Sequence, residues 1–284
     1  TMKEFIAACV QIAVTPNDVQ ANVDKGIVWL ERAVKEYEAE LVVFPETVTT
    51  SFVTGLDAKA LWDLVDEAPG KITRDVQAAA KSLGVHVVWP SYRRGPERGV
   101  VYNSSILIGP DGEIIGIYDK THPFPLERRD CGGWVTLGNR ADVFETALGS
   151  IGMIICYDGD FPELSRLLAV KGAEMILRPS ALLRSFDIWK MTNCARAYDN
   201  HVYIVACNAI GPDAGGSYYF GHSMVVSPIA QVLALARGTE EIVAAVLDPD
   251  PIKTVTYGAR TPMIFDHVED RNLAAFGVML TPAR

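Results

Sequence analysis

A thiol, a carboxylate and an ammonium each stand at the end of an apolar run in this chain, and together they could make a hydrolytic unit. Cys156 closes the run Ile151–Ile155 and is followed by YDGDFPE (157–163), a tight turn and a helix start. A thiol placed there sits at a sheet edge, where it can act as a nucleophile rather than as core filler. Glu46 follows Leu41–Phe44 and Pro45, and Lys120 follows the strand pattern Glu113–Tyr118. Strand ends of an α/β sheet are where reactive groups gather. In such a unit the carboxylate takes the thiol proton, and the ammonium and a backbone N–H stabilise an oxyanion. Each residue also has a plain structural reading. A cysteine after an apolar strand packs, a glutamate ends a strand, and a lysine in a turn is solvated. Spacing alone does not choose between the two readings.

The elements that must position these groups are legible from periodicity and punctuation. Phe5–Ala13 reads as a buried strand. Asn17 or Asp18 caps a helix over Val19–Tyr37, with Val23, Ile27, Leu30 and Val34 on one face. Leu41–Phe44 and Val85–Trp89 read as strands, and Lys71–Leu83 as a helix ending at Gly84. Val101–Ile108 and Glu113–Tyr118 form a hairpin across Gly109–Gly112. In the second half, Ser150–Cys156 is strand, Pro162–Lys171 is helix capped by Gly172, and Phe186–Asn200 is a long helix leading into Val202–Cys207. A hairpin of Phe220–Ser227 and Gln231–Ala236 follows, then Glu241–Leu247. Ala173–Pro179 (AEMILRP) echoes Ala39–Pro45 (AELVVFP). Each half therefore reads strand, helix, strand, helix, strand, hairpin. That implies α/β architecture: a four-layer α-β-β-α sandwich with an internal pseudo-two-fold repeat, residues 1–284 forming one domain. The tail from about Pro249 is irregular and is expected to dock elsewhere on the chain or on a partner subunit.

Composition narrows the class. The chain has 284 residues, 49% hydrophobic and 21% charged, enough for a large core. A net charge of −9 with no basic run argues against nucleic-acid or anionic-membrane partners. No apolar stretch approaches the ~20 residues of a membrane span. The five cysteines include no CxxC pair, which argues against structural zinc or a disulfide framework and fits a reducing, cytoplasmic setting. His122 lacks a metal-ligand partner at useful spacing and the five histidines are scattered, so neither metal nor cofactor is expected. Thr1–Phe5 enters a strand pattern without an apolar leader, so no signal peptide is expected. Thr1 ahead of Met2 reads as a cloning remnant.

Three motifs, in order, resemble those of the nitrilase superfamily of carbon–nitrogen hydrolases. Leu41–Thr47 (LVVFPET) is similar to its glutamate motif, Tyr118–Pro123 (YDKTHP) to its lysine motif, and Gly152–Glu163 (GMIICYDGDFPE) to its cysteine motif. The resemblance runs from Gln11 to Leu247 and implies the same four-layer sandwich. It implies that Cys156 attacks an amide carbonyl and that Glu46 is the general base, then the acid for departing ammonia, then the base for water. It implies that Lys120 and the backbone N–H of Tyr157 stabilise the tetrahedral intermediate. A second family glutamate soon after the lysine motif matches Glu127, which would position substrate or orient Lys120. The competing reading of Glu127 is an ion pair with Arg128 or Arg129. Ala195–Asn200 resembles a stretch at the family's subunit contact, which implies a homodimer or larger homo-oligomer. An ordinary amphipathic surface there remains the alternative.

Other residues support the site less directly. Asp160 and Glu163 have capping-box spacing around Pro162, and that helix start is expected to fix the Cys156 turn and favour a thiolate. Arg178, Pro179 and Ser180 end the strand that echoes the Glu46 strand and should lie near the pocket. Arg178 either binds a substrate carboxylate bidentately or makes an internal salt bridge. The loops 47–57, 123–138 and 181–187 are expected to form the pocket.

True nitrilases usually carry Trp after the cysteine. Here Tyr157 and Asp158 follow, as in amidase-like branches. The expected reaction is hydrolysis of a small non-peptide amide to a carboxylate and ammonia through a Cys thioester, with the small amide as the only expected partner besides further copies of the chain. An N-carbamoyl amide (ureido) hydrolase and a nitrilase are the alternatives. A silent metabolite-binding relative would normally have lost one of Glu46, Lys120 or Cys156, and none is lost.

Overall fold

The computed structural model describes residues 2–249 and 266–276, and the backbone of 256–257 and 261–262. The first half runs β1 (Phe5–Gln11), α1 (Val19–Tyr37), β2 (Leu41–Val43), α2 (Ala58–Leu64), α3 (Lys71–Leu83), β3 (His86–Arg94), β4 (Val101–Ile108) and β5 (Ile114–Asp119). The first half ends in β6 (Val143–Thr146), and the second runs β7 (Gly149–Met153), α4 (Pro162–Val170), β8 (Met175–Ser180), α5 (Phe186–Asn200) and β9 (Tyr203–Asn208). It continues through β10 (Ile210–Pro212), β11 (Tyr218–Phe220), β12 (Met224–Val226), β13 (Val232–Leu235) and β14 (Glu241–Leu247).

Among the described residues the main strands form two six-stranded sheets, ordered β14-β1-β2-β3-β4-β5 and β13-β12-β9-β8-β7-β6. In the first, β1, β2 and β3 are parallel and β4 and β5 return antiparallel. In the second, β7, β8 and β9 are parallel and β12 and β13 return antiparallel. The pseudo-two-fold repeat is therefore present. Its sixth strands are exchanged. β14, which follows the second unit, pairs antiparallel with β1 from Phe5↔Leu247 to Gln11↔Glu241. β6, which follows the first unit, pairs antiparallel with β7 of the second. Each half thus closes the sheet of the other.

Alternation along the strands sorts side chains into layers. Ala7, Cys9, Leu41 and Val43 join the core that also contains Ile151, Met175, Leu177, Val205 and Cys207 of the second sheet. Their neighbours Ala8, Val10 and Val42 join the cluster packed with Val23, Leu30 and Ala33 of α1 and Val76 and Ala80 of α3. The α1 start is capped by Asp18, whose side chain accepts from Ala21 N. Gly26 lets α1 approach Trp89, because a Cβ there would lie 2.5 Å from the ring.

Several boundaries differ from expectation. The short helix α2 lies beyond the expected 47–57 loop and is capped by Asp57, whose carboxylate accepts from Lys59 N and Ala60 N. Phe220–Ser227 is not one strand. β11 pairs with β10 and β12 joins the main sheet, with Gly221 and His222 at positive φ between them. The first part of the tail falls largely outside the described residues. The stretch 266–276 docks on the chain's own outer helices, where Arg166 Nη1 donates to the His267 carbonyl at 2.9 Å.

Candidate active site

Glu46 lies three residues beyond β2 and is 2% exposed. Its backbone N–H reaches the Ser180 carbonyl across the sandwich at 3.4 Å. Oε1 accepts from Lys120 Nζ and from Asn103 Nδ2, both at 2.7 Å. Oε2 accepts from Ala181 N at 2.7 Å. Lys120 follows β5 and is fully buried, with its N–H on the Asn103 carbonyl at 2.8 Å. Nζ also donates to Glu127 Oε2 at 2.6 Å and lies 5.4 Å from the Phe52 ring centre.

Glu127 settles its two sequence readings in geometry. It pairs with Lys120, while Arg128 pairs with Asp130. Its Oε1 accepts from Asn103 Nδ2 at 2.8 Å and its Oε2 from Phe124 N at 2.9 Å. Burial, countered by Lys120 and reinforced by Glu46, pushes the Glu127 carboxyl above the ordinary range. Burial would lower the Lys120 ammonium, but the Glu127 and Glu46 carboxylates outweigh it and raise its pKa.

Cys156 does not sit in the strand itself. β7 stops at Met153, and Cys156 adopts φ 45°, opening a 3₁₀ turn over Cys156–Asp160. A non-glycine residue in that region persists only where its surroundings hold it. The holding groups are visible. Arg178 Nε and Nη2 donate to the Cys156 carbonyl at 3.0 and 2.8 Å. Asp158, fully buried, accepts from Ile155 N at 2.8 Å, the Tyr118 hydroxyl at 2.7 Å and His122 N at 2.9 Å. Tyr118 and His122 bracket Lys120 by two residues on each side, so Asp158 ties the lysine segment to the cysteine turn. Gly159 is required here, because a Cβ would lie 2.1 Å from the Arg178 guanidinium carbon.

Three expectations need correction. Arg178 does not reach for a substrate carboxylate. It is fully buried, and its fork is spent on the Cys156 carbonyl, Thr192 Oγ1 and Asn193 Oδ1, with Asp160 3.8 Å away. Burial lowers its pKa to about 10, still a cation near neutrality. Asp160 does not cap α4, whose N-cap is Phe161 without a side-chain bond; its carboxylate pairs with Arg184. Nor is a thiolate favoured. Burial, then the charge of Glu46, pushes the Cys156 thiol up to about 12, against the weaker pull of Lys120 and Arg178. Ser180 is buried with its hydroxyl on the Arg178 carbonyl, so it supports the strand end. Tyr157 packs edge-on against Phe124 and Phe161.

The three expected loops each supply a wall. Phe52, Phe124 and Ala181–Arg184 enclose Cys156 in a narrow cleft of about 20 Å³. A larger cavity of about 760 Å³ lies beyond Tyr157, lined by His122, Arg128, Thr136 and Phe161 among others, and contains none of Glu46, Lys120 and Cys156. Sequence reading missed Asn103, which bridges both glutamates, as well as Asp158 and the Ala181 N–H. The one signal was the polar run Asn103–Ser105 inside an otherwise apolar strand.

A buried Glu–Lys–Glu cluster thus lies beside a left-handed cysteine turn, between the two six-stranded sheets. The chain belongs to the carbon–nitrogen hydrolase family, which it matches over residues 6–257, and so to the nitrilase superfamily. It is an enzyme that hydrolyses carbon–nitrogen bonds other than peptide bonds. It is 30% identical over 256 residues to omega-amidase NIT3 of Saccharomyces cerevisiae, covering 87% of this chain and 88% of that one. It is 34% identical over 224 residues to a nitrilase of Pyrococcus abyssi, covering 77% and 81%. The crystal structure of yeast Nit3, a member of branch 10 of the nitrilase superfamily, superposes with a TM-score of 0.78 at 30% identity over 87% of this chain and 91% of that one. Among the described residues no helix is long and apolar enough to cross a membrane.

Proposed function

We propose that the protein hydrolyses a small primary amide to a carboxylate and ammonia, with Cys156 as nucleophile. The observation that carries this reading is the 2.7 Å contact of Glu46 Oε1 with Lys120 Nζ beside the Cys156 turn. Burial pushes the thiol pKa up to about 12, so it keeps its proton near neutrality and attack requires a base in place. Glu46 accepts the Sγ proton as sulfur bonds to the carbonyl carbon. Lys120 and the Tyr157 N–H stabilise the oxyanion. Glu46 then passes its proton to the nitrogen, ammonia leaves, and a thioester remains. Water, deprotonated by Glu46, cleaves the thioester and returns the thiol. Glu127 and Asn103 hold Lys120 and Glu46 in register through both half-reactions.

The narrow cleft supports an unsubstituted leaving nitrogen. The omega-amidase name of the yeast relative supports an amide, and Tyr157 in place of Trp supports it over a nitrile. Assaying ammonia release from amides, N-carbamoyl amino acids and nitriles tests this. Amides should be turned over fastest, and faster turnover of either other class would replace the reading. A homo-oligomer through the outer helices is part of the same proposal, supported by exposed Leu167 and Val170 on α4 and Met191 on α5. Light scattering tests it: a monomer at micromolar concentration would refute it.

A further inference from the structure

β8 and β9 pair in parallel as far as Ser180↔Asn208, and there the ladder ends. β10 follows β9 and turns to pair with β11 instead. Residues 181–185 lie between β8 and α5 with no strand of their own. Yet this segment serves the site. Ala181 N donates to Glu46 Oε2 at 2.7 Å, and Leu182 lines the cleft at Cys156. Something other than the sheet must hold it, because buried main-chain groups need partners.

The Asn208 side chain supplies them. Leu182 N donates to its Oδ1 at 2.8 Å, and its Nδ2 donates to the Leu182 carbonyl at 3.1 Å. An amide that offers a donor and an acceptor to one residue imitates the peptide of a neighbouring strand. The ladder is thereby carried one step past its end. Nδ2 also donates to the Gly221 carbonyl at 2.9 Å, so both amide hydrogens and the oxygen are engaged. Asn208 is fully buried. Its backbone N–H donates to Ser223 Oγ at 2.9 Å, and that hydroxyl donates to Gln11 Oε1 of β1 at 2.8 Å. The clamp is therefore anchored to the sheet that carries Glu46. On the other flank the Ser180 carbonyl accepts from Ala209 N at 2.8 Å and from Glu46 N at 3.4 Å.

Resting on the role given to Glu46 above, we infer that Asn208 is a positioning residue for the reaction. Its side-chain amide fixes the backbone at Leu182 and so aims the Ala181 N–H that orients the Glu46 carboxylate. Asn208 acts through the main chain, and both half-reactions depend on it because Glu46 serves in both.

The test is Asn208→Ala, assayed well below its Tm on whichever of the amides, N-carbamoyl amino acids and nitriles wild-type enzyme turns over fastest. kcat should fall by about 10- to 100-fold, the scale of misplacing a reacting group by an ångström. KM should stay within about three-fold. Gly26→Ala is the reference for lost stability alone and should keep its kcat. Asn208→Asp keeps the volume and the acceptor but loses the amide donors to Leu182 and Gly221. It should show the same split, and it decides the matter if Asn208→Ala does not fold. A kcat within about two-fold of wild type in the folded variant, or a KM that rises while kcat holds, would overturn the inference and leave the amide reading standing. Because the fastest substrate class is used, a failure of the amide reading would not alter this result.

Discussion

The guanidinium of Arg178 clasps the carbonyl oxygen of Cys156 through Nε at 3.0 Å and Nη2 at 2.8 Å. Of the two roles open to it in the sequence, substrate binding or an internal contact, Arg178 takes the internal one and holds the Cys156 backbone in its left-handed conformation. Arg178→Lys replaces a fork by a point charge and cannot make both bonds. kcat should fall by about 10- to 100-fold while KM stays within about three-fold, since the side chain does not touch substrate. The buried network should lose about 3 kcal/mol. Steady-state kinetics with urea unfolding check both. A large KM change with kcat intact would return Arg178 to a binding role.

Glu127 and Asn103 bear on Lys120 rather than on Cys156. Glu127→Gln keeps the shape but withdraws an anion from Nζ. We expect kcat to fall by about 10- to 100-fold, the scale of losing one positioned group. Asn103→Asp places a third carboxylate against Glu46 and Glu127 and should cost more. An unchanged kcat in Glu127→Gln would reduce the residue to packing.

The raised Cys156 thiol has a signature in stability. In the folded protein it keeps its proton to about 12, whereas in the unfolded chain it ionises near the ordinary thiol value. The folded state therefore binds more protons between those values. This contribution is complete below the unfolded pKa and is lost as pH rises toward about 12, at no more than about 1.4 kcal/mol per pH unit. Wild-type protein should lose stability faster than Cys156→Ala between about pH 9 and 11. Cys9, also raised by burial, is present in both and cancels. Parallel curves for the two proteins would contradict the assignment.

Gly26 offers a control far from the chemistry. Gly26→Ala drives a methyl to 2.5 Å from Trp89 and should destabilise by about 1–3 kcal/mol. Specific activity at 25 °C should be unchanged, and a matching loss of kcat would mean that the first sheet transmits strain to Glu46.

How much of this was legible varies with the range of the interaction. Helices α1, α3 and α5 were read to their ends because caps and periodicity are local signals: Asp18, Gly84 and the run to Asn200 suffice. The pairing of β14 with β1 was not legible, because Phe5 and Leu247 meet across almost the whole chain and leave no local mark. In the site, Glu46, Lys120 and Cys156 announce themselves by type and by motif. Asn103 and Asp158 do not, since their partners lie 57 and 40 residues away. Arg178 was ambiguous for a physical reason. A sequence shows a charge but not which way the fork faces, and here the inward direction won because the Cys156 carbonyl needed donors. The Cys156 ionisation departs from expectation because full burial outweighs a nearby helix start.

The central claim is a thioester on Cys156. Rapid quench of the enzyme with a slowly turned-over amide, followed by peptide mass analysis, reads it directly. The peptide carrying Cys156 should gain the acyl group less one hydrogen, with ammonia released in equal amount, and Cys156→Ala should show neither. Ammonia release that persists in Cys156→Ala, or turnover with no adduct on that peptide even in a Glu46→Gln background that slows deacylation, would contradict the account.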